Sequence, residues 1–63
     1  MTLQERFKEA RLARGLSQSA AGQELGVHWS TVLRWEKAET LPSMTRALLE
    51  LWIAENRHER NVR

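Results

Sequence analysis

The sequence predicts an all-α fold, a compact arrangement of four short helices in one domain. Apolar residues recur at the three- and four-residue spacing of a helix, and no stretch alternates with the two-residue period of a β-strand. Ser, Thr, Gly and Pro, which start and end helices, divide the chain into segments of helical length. A chain of 63 residues has room for one such domain.

The first helix is expected over residues 2–14. Thr2 and Glu5 have the spacing of a capping box, in which each side chain accepts a hydrogen bond from the other's backbone N–H. Gly15 is expected to end the helix in the left-handed conformation. The inner face carries three apolar residues at helical spacing, Leu3, Phe7 and Ala10.

Two further helices are expected close together. Ser17 is the predicted N-cap of a helix over Gln18–Leu25, which Gly26 ends. The next helix runs over Trp29–Lys37 with His28 at its N-cap, and the loop 38–41 follows.

Residues 18–37 have the pattern of a helix-turn-helix, in which two helices cross at about 90–120°. Gly22 falls where the helices cross and leaves room for close approach, and Gly26 suits a turn that needs positive φ. Five apolar side chains would hold the two helices together: Ala21, Leu25, Val27, Val32 and Trp35. The alternative for this pattern is a plain helical hairpin in a bundle.

The last helix is expected to begin with Ser43 as its cap and to end near residues 56–58, leaving 59–63 as a frayed polar tail after a domain of residues 1–58. This helix is apolar on two sides, which indicates two partners. The stripe expected to face the core comprises Met44, Ala47, Leu48, Leu51 and Ala54. The stripe expected to form a homodimer interface comprises Leu49, Trp52 and Ile53. The alternative is that Trp52 wraps around the edge of its own core.

Composition narrows the possible functions. The net charge is +2, and eight of the ten basic residues are Arg, which suits a shaped nucleic-acid-binding surface better than a cationic tail.

The sequence lacks Cys, Asp, a transmembrane run and a signal-peptide layout, so we expect a cytoplasmic protein with no membrane association. No catalytic dyad or phosphate loop is present, so we expect no enzyme activity, cofactor or small-molecule ligand. His28 and His58 lie too far apart in the chain to suggest a metal site.

The run from Leu3 to Ser43 resembles the DNA-binding domain of phage repressor and Cro proteins and of Xre-type bacterial regulators. The shared segments are ER, AR and GLSQ before the motif, LGV in the turn, TVLRWE in the third helix and LPS before the fourth. The resemblance implies a lambda-repressor-like helix-turn-helix domain, with five helices as the alternative because the family often has two short ones at the C-terminal end. Ala38 stands where the family usually has Gly.

The resemblance implies that the third helix enters the major groove of DNA. The base-contacting candidates are His28, Trp29, Ser30, Leu33 and Arg34. Arg34 suits guanine O6 and N7, or alternatively a phosphate or a surface salt bridge. Ser30 would reach a base or a phosphate, and Trp29 would cover a thymine methyl or fold back onto the protein. His28 would cap the helix or meet a phosphate.

The resemblance also implies residues that position the protein on DNA. Phosphate contacts are expected from Gln18, Lys37, Thr40, Ser43 and Arg46, with Arg14 a weaker candidate and solvent exposure the alternative for each. Arg11 would pair with Glu36 and fix the third helix against the first. Trp35 would lie in the core, with a DNA contact as its alternative.

Together these residues predict a sequence-specific transcriptional regulator of double-stranded DNA. The most specific form of the prediction is a homodimeric repressor or autoregulator on a palindromic operator, acting in a bacterium or a phage-infected cell. The alternative is a small protein-interaction module, such as an antitoxin or an adaptor, that uses the same fold.

Overall fold

The computed structural model describes residues 1–62, with side chains described for residues 1–55. In that part of the chain the elements are α1 (Leu3–Ala13), α2 (Gln18–Leu25), α3 (Trp29–Lys37) and α4 (Ser43–Val62). The helix α1 packs against α3 and α4, while α2 packs across α3. The prediction of an all-α, four-helix domain is therefore confirmed, and the C-terminal segment is one helix, not the alternative pair.

Capping residues define where the first three helices begin. In α1, Thr2 Oγ1 accepts from the backbone N–H of Glu5 at 3.2 Å, and Glu5 Oε1 accepts from that of Thr2 at 2.9 Å. Ser17 caps α2 by accepting from the backbone N–H of Ala20 at 3.0 Å. Local sequence sets these boundaries because each cap satisfies an N–H that has no partner inside the helix.

A single apolar core lies between α1, α3 and α4. Phe7, Val32 and Leu49 are fully buried at its centre. The rings of Phe7 and Trp52 meet edge to face, with centroids 5.3 Å apart and planes at 65°. Trp35 is half-buried and packs against this core.

The two apolar stripes of α4 are exchanged relative to the prediction. Leu49, Trp52 and Ile53, predicted to form a dimer interface, are only 0%, 7% and 4% exposed in the monomer. Conversely, Met44, Leu48 and Leu51, predicted to cover the core, are 85%, 38% and 58% exposed. Ala47 and Ala54 of the same stripe are exposed as well. The assignment of Leu49, Trp52 and Ile53 to a dimer interface is therefore wrong.

The reason for the exchange lies in how Trp52 is accommodated. Its indole N–H donates to Glu24 Oε1 at 3.1 Å, and its ring packs on Phe7. The guanidinium of Arg14 lies 5.8 Å from the ring centroid, at cation–π distance.

The ends of α4 also differ from the prediction. The helix begins at Ser43, and the backbone N–H of Arg46 donates to Pro42 O at 2.9 Å, so Ser43 is the first helical residue and not the cap. The helix continues to Val62, beyond the predicted end near residues 56–58. The expected frayed tail at 59–63 and His58 lie outside the residues whose side chains are described. Among the described helices, none is both long and apolar enough to cross a membrane.

Candidate nucleic-acid interface

The helices α2 and α3 meet at Gly22. A Cβ added to Gly22 would lie 2.5 Å from the backbone oxygen of Val27, closer than real Cβ contacts allow. The N–H of Val27 in turn donates to Gly22 O at 2.8 Å. Gly26 has the φ of 77° that the turn needs and that an L side chain rarely adopts. The start of α3 is thus held directly against the backbone of α2.

A buried ion pair holds the other end of α3. Arg11 Nε donates to Glu36 Oε2 at 2.7 Å, and the two side chains are 8% and 6% exposed. Arg11 Nη1 also donates to Leu16 O at 2.8 Å, which ties the pair to the turn before α2. Arg11 and Glu36, which the resemblance paired, therefore connect α1, the first turn and α3.

Gln18 joins the same network from the first turn of α2. Its Nε2 donates to Glu36 Oε1 at 3.2 Å, and the residue is half-buried. A side-chain amide has two N–H groups, so one of them can serve Glu36 while the other turns toward a phosphate. The contact with Glu36 was not predicted, and it orients the side chain that the resemblance assigns to phosphate.

The exposed side of α3 brings the base-contact candidates together. His28, Trp29 and Arg34 are exposed, and Ser30 and Leu33 are half-exposed. Val32 points the other way and is fully buried. The Trp29 ring lies beside the His28 ring, with centroids 5.5 Å apart and planes at 39°. Trp29 therefore packs along the outside of α3 and does not fold back into the core.

His28 caps α3 with its side chain. Its Nδ1 accepts from the backbone N–H of Ser30 at 3.2 Å, and Ser30 Oγ lies 2.8 Å from the same nitrogen. The imidazole is thus held over the first turn of the helix, at the edge of the exposed face of α3.

Gln4 holds the loop after α3 and was missed at the level of sequence. This side chain is buried, and its Nε2 donates to Ala38 O at 2.7 Å and to Glu39 O at 3.3 Å. Gln4 shares a helical face with Phe7 and Arg11, a spacing that would have indicated its burial. The bonds fix the backbone of the loop at Ala38, where the family usually has Gly.

The candidates for phosphate contact extend from α3 along this loop to α4. The four candidates from the last residue of α3 onward are all exposed: Lys37, Thr40, Ser43 and Arg46. Thr40 and Arg46 also line one shallow groove beside the N-terminus of α1, where Glu39 and Glu50 lie among the walls. Arg6 lies in the same lining, so the two arginine and two glutamate charges of the groove balance.

Arg14, the weaker phosphate candidate, is engaged within the protein. Its Nη1 donates to Glu24 Oε1 at 2.8 Å, the same oxygen that accepts from Trp52. The hydrogen bond from Arg14 lowers the pKa of Glu24 below its ordinary value of 4.5; partial desolvation opposes this effect, and the Trp52 hydrogen bond adds to it. Arg14 thus joins the ends of α1 and α2 to α4.

A comparison with known families agrees with this geometry. A family model described as helix-turn-helix matches residues 7–49, which is more than half of the chain. No curated protein and no solved structure matches. The matched segment contains the buried Arg11–Glu36 pair, the close crossing at Gly22 and the whole of α3. The chain therefore belongs to the helix-turn-helix family of the Cro and Xre type, and it is a DNA-binding domain of the regulatory kind.

Proposed function

We propose that this protein is a sequence-specific transcriptional regulator that inserts α3 into the major groove of an operator. The observation that carries the proposal is the combination of an exposed α3 face with a buried anchor behind it. His28, Trp29 and Arg34 are exposed, while Glu36 of the same helix is held by Arg11 at 2.7 Å. A recognition helix that is already rigid loses little entropy when it docks.

In this proposal the side chains that meet DNA divide into two groups. Arg34 reads a base, because its guanidinium can donate to O6 and N7 of guanine at once. Gln18 and Lys37, with Thr40 and Ser43, meet phosphates and set the register on the duplex. Arg46 is a further candidate for a phosphate contact, beside Thr40 in the groove that Arg6 also lines.

The proposal includes a homodimer whose interface differs from the one expected from sequence. Met44, Leu48 and Leu51 follow one another at helical spacing and are exposed on the outside of α4. A continuous apolar stripe of this kind favours contact with another protein surface. A second copy of the chain, related by two-fold symmetry, would bury both stripes at once and set two recognition helices about 34 Å apart, one turn of DNA.

The simplest regulatory action is repression by occupying a palindromic operator, in the cytoplasm of a bacterium or a phage-infected cell. Selection of bound duplexes from a random library tests the proposal directly. The expected result is an enriched inverted repeat with half-sites one helical turn apart. Enrichment of single half-sites would contradict the dimer, and enrichment of no sequence would favour the protein-interaction alternative.

A further inference from the structure

We infer that His28 and Ser30 present two contacts of fixed and opposite hydrogen-bond polarity to DNA. His28 Nε2 acts only as a donor, and Ser30 Oγ acts only as an acceptor. The inference rests on the proposed function, because it assigns a base preference to the same surface of α3. Ser30 thereby becomes a residue that determines specificity, although serine by itself pairs with either a base or a phosphate.

The polarity of His28 follows from the backbone of Ser30. A backbone N–H can only donate, and that of Ser30 points at His28 Nδ1 from 3.2 Å. In a neutral imidazole one nitrogen accepts and the other carries the proton. Because Nδ1 must supply its lone pair to the cap, the proton resides on Nε2. The second ring nitrogen therefore offers an N–H to any partner outside the protein.

The polarity of Ser30 follows from that of His28. Ser30 Oγ lies 2.8 Å from the same Nδ1. Once this nitrogen is assigned no proton, the hydroxyl is the donor, and its O–H shares the single Nδ1 lone pair with the backbone N–H of Ser30. Its one hydrogen is then used inside the protein, and only its lone pairs remain for DNA. The neighbouring Trp29 ring lies beside the imidazole, with the two ring centroids 5.5 Å apart.

These polarities select different atoms of DNA. Phosphate oxygens and guanine N7 and O6 accept hydrogen bonds, so either source suits His28 Nε2. A phosphate oxygen has no hydrogen to give, so Ser30 cannot pair with it while its own hydrogen is used. In the major groove the donors are the amino groups at adenine N6 and cytosine N4. Ser30 is therefore expected to favour adenine or cytosine on the strand that it faces.

The tautomer is tested without DNA. Long-range ¹H–¹⁵N correlation spectra of the labelled protein, recorded where both imidazoles are neutral, identify which ring nitrogen carries the proton. A His58→Gln variant assigns the signals of the two histidines. The expected result is a protonated Nε2 and an unprotonated Nδ1 in His28. A proton on Nδ1 would overturn the inference and would leave the proposed function intact.

The base preference is tested by duplex selection with three proteins. The wild type should prefer adenine or cytosine roughly five- to tenfold at one base pair of each half-site, as expected of a single base contact. Ser30→Ala should remove that preference. His28→Gly keeps an acceptable N-cap, because Gly is among the residues that helices accept at that position. It also frees the hydroxyl to donate, so guanine and thymine should become tolerated at the same base pair.

The selections separate the inference from the proposed function. If wild type enriches an operator but neither variant changes the preference at any single base pair, the inference is wrong and the proposed function stands. If wild type enriches no duplex, the proposed function fails, and the claim on specificity fails with it. Phosphate as the partner of His28 is distinguished by the sequence dependence of His28→Gly: loss of a phosphate contact weakens binding equally for all duplexes, whereas loss of a base contact changes the preference at one base pair.

Discussion

Trp52 and Glu24 are joined by a hydrogen bond of 3.1 Å from the indole N–H to Oε1, and this contact accompanies the burial of one of the two apolar faces of α4. The same oxygen accepts from Arg14 at 2.8 Å. Side chains of α1, α2 and α4 thus meet at one carboxylate. The opposite face of α4 is consequently left exposed.

Trp52→Ala should lower the free energy of unfolding by about 3–5 kcal/mol, because it removes a large core ring and leaves a cavity beside Phe7. Chemical denaturation measures the change. The control is Leu12→Ala, in which an exposed apolar side chain of α1 is truncated and stability should change by less than about 0.5 kcal/mol. Equal effects of the two substitutions would contradict the burial of Trp52.

Stability should depend on the ionisation of Glu24. The hydrogen bond from Arg14 lowers its pKa in the folded state below 4.5, so the unfolded chain takes up the proton first as the pH falls. The pair therefore stabilises the fold above pH 4.5, and this contribution disappears as the pH falls through the lowered pKa. Thermal melting against pH should show a smaller acid-induced decline in Glu24→Gln than in wild type. The control is Glu9→Gln, which replaces an exposed carboxylate of α1. Its melting temperature should decline in acid nearly as much as that of wild type.

Glu36 and Arg34 should have separable roles although they lie on the same helix. Glu36→Ala leaves the buried Arg11 guanidinium without its partner and should cost about 3–5 kcal/mol of stability. Arg34→Ala removes an exposed side chain, so its stability should stay within about 0.5 kcal/mol of wild type. Its binding to the selected operator should weaken by about 1–3 kcal/mol of binding free energy. Thermal melting and DNA titration check the two effects, and equal melting of the variants would contradict this division.

Gly22→Ala should destabilise the domain by about 1–3 kcal/mol, because the added methyl would approach the Val27 oxygen at 2.5 Å and force α2 and α3 apart. Denaturation of Ser19→Ala, a substitution on the exposed side of α2, provides the comparison. A Gly22→Ala protein as stable as the comparison variant would mean that the helices do not cross this closely.

Leu51→Glu should convert the proposed dimer into a folded monomer, because it places a charge on the exposed α4 stripe. Sedimentation velocity measures the assembly, and circular dichroism shows that the fold is retained. Leu12→Glu is the matched control, since Leu12 is similarly exposed but lies on α1, away from that stripe. A dimer that survives Leu51→Glu would place the interface elsewhere.

Features that depend on a few neighbouring residues could be predicted from sequence alone. The bounds of α2 and α3, the caps at Thr2, Ser17 and His28, and the glycine turn at Gly26 agree with the structure. Each follows from local hydrogen bonding or from backbone sterics, which a short stretch of sequence contains in full. The loop-fixing role of Gln4 was missed because its partners, Ala38 and Glu39, lie far along the chain.

The sequence by itself determined that the chain is a helical domain with a helix-turn-helix, and which side of α3 faces outward. Only the tertiary structure decided which face of α4 is buried and which is exposed. Helical periodicity identifies both stripes of α4 as apolar faces. It does not show which of them packs against the other helices, because a helical wheel contains no information about neighbouring elements. The choice depended on Phe7, Arg14 and Glu24 from other helices, which together accommodate both the ring and the polar N–H of Trp52.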